Sequence, residues 1–191
     1  MQATRFSSSN EGERLRIEIP DPALVLLIGP SGAGKSTFAA RHFRPTEVLS
    51  SDRCRAMICD DEADQSVSAA AFRLLHQIAR ARLSRGRMTV IDATSLARPA
   101  RLPLLRMAHR YGVPAAALVF QPTLATCLAR NRARLERVVP EEVIHRQHDA
   151  LLRTIPQLAA EGYVGRFLLG EDAFSDIEVQ RSAAAASPES A

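Results

Sequence analysis

Residues 29–36 read Gly-Pro-Ser-Gly-Ala-Gly-Lys-Ser, and this stretch constrains the fold more than any other. Its spacing is that of a phosphate-binding loop, G-x-x-x-x-G-K-[S/T]. In front of it, Leu24-Val-Leu-Leu-Ile28 is a continuous apolar run, long enough for one buried strand and bounded by Pro22 and Gly29. Behind it, Thr37-Phe-Ala-Ala-Arg-His42 reads as the first turns of a helix. Glycines in the loop let successive N–H groups point inward at phosphate oxygens, and the helix start adds its positive end there. Gly29, Ser31, Gly32, Ala33, Gly34, Lys35, Ser36 and Thr37 would surround the phosphates of a nucleoside triphosphate such as ATP. Lys35 would reach the β- and γ-phosphates, and the Ser36 hydroxyl would hold Mg²⁺. Of 25 basic residues only Lys35 is a lysine. It stands where a slender ammonium fits between phosphates and a planar guanidinium does not.

The rest of the chain alternates short apolar runs with helical patterns. Residues 14–19 alternate and predict an edge strand ended by Pro20 and Pro22. Glu47-Val-Leu-Ser50, Met88-Thr-Val-Ile91, residues 115–120 and Phe167-Leu-Leu169 predict further strands, and Ile177-Glu-Val179 one more. Ala71, Leu74, Leu75 and Ile78 mark a long helix, and Leu104, Met107, Ala108 and Tyr111 another. Helix resumes from Thr123, and Pro140-Glu-Glu starts a helix that Pro156 must break. Strand–helix alternation predicts a parallel sheet covered on both faces, with ligands at the carboxyl ends of its strands. Residues 13–181 are expected to form one domain, between a disordered segment 1–12 and a loose Ala/Ser-rich tail 182–191.

Two acids stand at those strand ends. Asp52 follows the second predicted strand, where it suits either a helix N-cap or a base that accepts the proton of a hydroxyl and aims its oxygen at the γ-phosphorus. Arg55, three residues on, faces the same way and is a candidate to grip an anion on the acceptor. Asp92 ends an apolar strand, as an acid that binds Mg²⁺ does in many phosphate-loop enzymes, or caps the following turn. Residues 130–137 carry four arginines. Arg130, Arg134 and Arg137 recur at helical spacing and predict one cationic face. It is either a solvated face or one suited to the charge on a transferring phosphoryl group.

These segments, with Asp60-Asp-Glu-Ala-Asp-Gln65 and Thr89-Val-Ile-Asp-Ala-Thr94 in the same order, resemble the kinase domain of bacterial polynucleotide kinase-phosphatase, an enzyme that heals RNA ends. The likeness runs over about residues 15 to 180. It implies an adenylate-kinase-like parallel sheet with Asp52 as general base on a 5′-hydroxyl, Arg55 on the polynucleotide end, and Arg130 and Arg134 in a lid over the nucleotide. Ser95 stands where the family has Asn. The chain is also expected to lack the phosphatase and ligase-like domains that follow the kinase in that family.

The resulting expectation is an ATP- and Mg²⁺-dependent polynucleotide 5′-hydroxyl kinase with a nucleic-acid end as substrate. A kinase of a small hydroxylated acceptor and a non-enzymatic ATP switch are the alternatives. The polynucleotide reading asks for a polyanion track, for which Arg53, Arg55, Arg80, Arg82, Arg85 and Arg87 are the candidates. Net charge of +4 does not by itself argue for nucleic acid. Residues 1–10 lack the apolar region of a signal peptide, no stretch has the length of a membrane span, and Cys54, Cys59 and Cys127 lack metal-type spacing. A cytoplasmic location with reduced thiols is the expectation.

Overall fold

Five of the apolar runs pair as one all-parallel sheet. In the computed structural model, which describes residues 15–134, 138–171 and 177–183, these are β2 (Leu24–Ile28), β3 (Val48–Ser50), β4 (Thr89–Asp92), β5 (Ala115–Phe120) and β6 (Gly165–Leu169). They lie in the order β3-β4-β2-β5-β6. Along β2, Leu24, Leu26 and Ile28 face one hydrophobic layer, and Val25 and Leu27 face the other. The run is apolar throughout because both its faces are covered.

The first layer is closed by α3 (Ser68–Leu83) and α4 (Arg98–Arg110), with Leu151 from α6 (Glu141–Thr154). On α3, Ala71, Leu75, Ala79 and Leu83 are the fully buried stripe, with Leu74 and Ile78 at its margin. The second layer is closed by Phe38 and Ala39 of α1 (Lys35–His42) together with β1 (Leu15–Asp21) and β7 (Ile177–Ala183). The remaining helices, α2 (Ser51–Cys59) and α5 (Leu124–Arg132), follow β3 and β5.

Three features differ from the sequence expectations. The strand expected to stop at Pro20 runs on to Asp21 and pairs in parallel with β7 in a separate two-stranded sheet. Each strand of such a pair keeps one open edge, which tolerates a residue without an N–H. Pro140 caps α6 from outside and is not its first residue. Pro156 converts the end of α6 into a 3₁₀ turn over Ile155–Ala160. Ser182 and Ala183 complete β7. The rest of the expected tail, the segment 1–12 and Arg137 lie outside the described residues.

Candidate active site

Because the sheet is parallel, the segments after β2, β3 and β4 open at one edge, and the sequence-predicted residues meet there. Gly32 of the phosphate loop has φ 80° and is pressed against the backbone of α5. A Cβ at this position would lie 2.5 Å from the Cys127 carbonyl oxygen. Gly34, with φ 88°, sets the entry to α1. The Gly29 N–H donates to the Thr94 carbonyl at 3.1 Å and ties the loop to the segment after β4.

Lys35 Nζ donates to the carbonyls of Gly29 (2.9 Å) and Pro30 (2.7 Å). Burial lowers its pKa to about 8, against the pull of the nearby Asp92 carboxylate, and the Arg134 guanidinium pushes the same way as burial. Such a cation, stripped of its water, suits an incoming polyphosphate. Asp92 ends β4 and is 7% exposed. Burial raises its pKa, while a hydrogen bond from the Ser36 hydroxyl and the charge of Lys35 act to lower it. A hydroxyl and a buried carboxylate side by side at the phosphate loop are hard oxygen donors that fit Mg²⁺. Among the described residues no cluster of three or more His, Cys, Asp or Glu could hold a metal.

Asp52 corrects one reading of the sequence. The cap of α2 is Ser50, whose hydroxyl accepts from the Arg53 N–H at 3.3 Å, and Asp52 lies in the first turn. Asp52 pairs with the Arg55 guanidinium, whose Nε donates to the Glu62 carbonyl at 2.7 Å. Arg55 is 3% exposed and lines the same cavity as Asp52, with which it pairs. A cavity of about 250 Å³ brings together Ser31, Lys35, Ser36, Asp52, Asp92 and Arg134.

The arginine run also behaves differently from a single helical face. α5 stops at Arg132 because the Asn131 side chain, fully buried, accepts from the Val139 N–H (2.9 Å) and donates to its carbonyl (2.8 Å). This clasp holds Val139 against the last turn of α5. Arg134 reaches the phosphate cavity, whereas Arg130 borders a separate depression with Gly34, Thr37 and Arg41. Arg132 pairs with Glu141 at 2.7 Å.

The candidate polyanion track assembles only in part: Arg53 and Arg55 border cavities that include Asp52, and the other four arginines do not. α3 starts at the site, where Ser68 and Phe72 line the cavity, and runs back toward Gly86 and the first residue of β4. At about 1.5 Å per residue its 16 residues span about 24 Å. Arg80, Arg82, Arg85 and Arg87 therefore sit toward the opposite edge of the sheet, where Arg82 donates to the Met88 carbonyl at 2.7 Å.

Gln147, which sequence reasoning missed, completes the site. From α6 its Oε1 accepts from the Ser31 N–H at 2.7 Å. The available signal was a polar residue on the face of α6 that carries buried Ile144 and Leu151. A second cavity, of about 350 Å³, adjoins the first through Phe72, Ala93, Thr94 and Gln147, which line both. Ser95 lies in its wall with φ 48°, a left-handed conformation that Asn adopts more readily than Ser. Its carbonyl accepts from the fully buried Arg101 at 2.9 Å, and Arg101 pairs with Glu161 through two bonds of 2.8 and 2.6 Å.

The model of the AAA domain family matches residues 24–158. No curated protein matches the chain in sequence. Among solved structures, a chain of the Pnkp1/Rnl/Hen1 RNA repair complex is similar with a TM-score of 0.62 at 20% identity, over 73% of this chain and 47% of that one. This chain thus spans about half the length of that neighbour. A chain of the AvrRxo1-ORF1:-ORF2 complex with ATP gives 0.60 at 15% identity, over 79% and 55%. A putative kinase from Chloroflexus aurantiacus gives 0.54 at 15% identity, over 78% and 88%. At these identities the likenesses establish the α/β fold of a phosphate-loop kinase and no more. Among the described residues no helix is long and apolar enough to cross a membrane.

Proposed function

The chain belongs to the AAA domain family, and from that premise we propose that it is an ATP-dependent phosphotransferase acting on the hydroxyl of a compact acceptor. The observation that carries this reading is the convergence of Lys35, Ser36, Asp92 and Arg134 with the Asp52–Arg55 pair in one cavity. A nucleotide switch needs the first four and has no use for an oriented base beyond them.

In this reading the triphosphate lies along residues 29–37, with its γ-phosphate toward Asp52. The Asp52 carboxylate accepts the acceptor's proton and aims its oxygen in line with the γ-phosphorus. Lys35 and Arg134 stabilise the charge on the transferring group, and Arg130 borders the nucleotide from the α1 side. Ser36 and Asp92 would hold Mg²⁺, which supplies further charge neutralisation when bound.

The acceptor is read as compact because the arginines at the end of α3 stand about a helix length from Asp52, which leaves only Arg53 and the already engaged Arg55 beside it. A second reading, transfer to a polynucleotide 5′-hydroxyl end, rests on the ordered motifs from residue 29 to Asn131 and on the fold shared with the RNA repair complex. Transfer of label from [γ-³²P]ATP to a panel of small hydroxyl compounds and 5′-OH oligonucleotides separates the two. The expected outcome is transfer to small acceptors, lost in Lys35→Ala with the fold intact by circular dichroism. Preferred labelling of the oligonucleotide would establish the second reading instead. Near-normal transfer by folded Lys35→Ala would sink both.

A further inference from the structure

We propose that the second cavity takes the body of the acceptor, and that its chemistry selects a compact hydroxy compound with an apolar body and one anionic group. The proposal rests on the kinase reading above and adds the acceptor class.

Phe72, Ala93, Thr94 and Gln147 line both cavities, so the two adjoin, and a molecule lodged in the second one would present a hydroxyl toward Asp52 past Thr94. Most of the lining of the second cavity is hydrocarbon, including Ile91, Leu96, Leu104 and Val143 with the Phe72 ring at the junction, and its polar groups are Thr94, Ser95, Arg146 and Gln147. A polyol seated there would turn several hydroxyls onto groups that cannot hydrogen-bond, and each unpaired hydroxyl costs binding free energy. An apolar body gains from the same surface. The volume, about 350 Å³, lies at the small end of the range for ligand pockets and suits a single ring or branched chain.

Charge sets the second requirement. Arg146 is the only charged residue lining this cavity, and it has no ion-pair partner among the described residues. It lies on α6 one residue before Gln147 and is exposed at the rim. A guanidinium in that position recognises a carboxylate or similar anion through charge-assisted hydrogen bonds. With no carboxylate among the lining residues, the cavity offers nothing to a cationic acceptor. The transfer itself balances simply. The acceptor hydroxyl gives its proton to Asp52, its oxygen bonds the γ-phosphorus, and the bond to the β,γ-bridging oxygen breaks with its electron pair leaving on ADP.

Calorimetry on the chain loaded with a non-hydrolysable ATP analogue tests the pocket apart from the chemistry. The probes are phenyllactate, mandelate and 2-hydroxyisocaproate, each beside its methyl ester, with gluconate as an anionic polyol. At least one hydroxy acid should bind better than both its ester and gluconate. Arg146→Gln should cut the preference for acid over ester about tenfold, with partial rescue in Arg146→Lys. Ala100→Phe, at an exposed position on the rim, should block acid and ester alike. If no hydroxy acid binds, if gluconate binds best, or if Arg146→Gln leaves the preference unchanged, the pocket proposal is overturned. Labelling with [γ-³²P]ATP is read separately. Hydroxy-acid binding that responds to Arg146 but gives no transfer to any acid would leave the pocket standing and overturn the role given to Asp52.

Discussion

At Asp52 the difference between the proposed base and a cap is measurable, because the cap of α2 is Ser50. Ser50 holds the Arg53 N–H and Asp52 faces the phosphate cavity. Ser50→Ala should therefore cost about 1 kcal/mol of stability, the usual loss for a helix cap. Asp52→Asn keeps an acceptor for Arg55, so it should melt near the parent temperature while transfer falls at least ~10²-fold. Nucleotide binding by fluorescence titration should survive in both. A normal rate in Asp52→Asn would remove the base assignment. Lys35 offers a second test. Its lowered pKa means that the charged form is disfavoured by the nucleotide-free fold, a penalty present below pH 8 and relieved as pH rises through that value. Polyphosphate favours the charged form, so binding near pH 8 should take up about half a proton. Calorimetry in buffers of different ionisation enthalpy measures this uptake, and zero uptake would mean that Lys35 stays clear of the phosphates. Both residues were legible in the sequence because their chemistry lies within a motif or at a strand end. The capping role of Ser50 was not, since one residue of uncertainty in the strand boundary moves the cap from one side chain to its neighbour.

The arginine run after α5 shows how far helical periodicity carries an argument. Spacing placed Arg130, Arg134 and Arg137 on one face, but α5 ends at Arg132 where Asn131 clasps Val139. No local pattern announces a side chain that bonds the backbone of a residue eight positions away. Arg134 nonetheless arrives at the phosphate cavity, and Arg132 pairs with Glu141 at the surface. Arg134→Ala should slow transfer by at least ~10²-fold, mainly in kcat, as loss of a charge-stabilising arginine does. Arg132→Ala should leave the rate within a factor of about two, as expected for an exposed pair outside the site. Asn131→Ala should cost about 2 kcal/mol for two buried hydrogen bonds and raise KM for ATP if Arg134 is held at the cavity through this contact. Equal rates in the Arg134 and Arg132 variants would remove Arg134 from the mechanism.

Across the whole molecule the decisive geometry is the direction of α3. A crossover helix between parallel strands must run back from their carboxyl ends to their amino ends. That rule carries Arg80, Arg85 and Arg87 away from Asp52, although in sequence they lie within about forty residues of it. The fold class and the strands of the main sheet were readable from apolar runs. The fate of the arginines lay in the topology, which residue-type arguments do not consult. Replacing Arg80, Arg85 and Arg87 together by Gln should leave kcat/KM unchanged within about twofold for small acceptors and oligonucleotides alike, since charges farther off than a Debye length are screened. A tenfold loss confined to oligonucleotides would restore the track. Gln147 carries a different whole-molecule consequence. Its amide oxygen holds the Ser31 N–H of the phosphate loop, and the same side chain lines the neighbouring cavity. A phosphate oxygen and Gln147 cannot both take that N–H. A nucleotide that claims it displaces Gln147, and so changes the affinity of whatever occupies the cavity beside it. Thermodynamic linkage then requires the reciprocal: the second occupant changes nucleotide affinity by the same factor, whichever ligand arrives first.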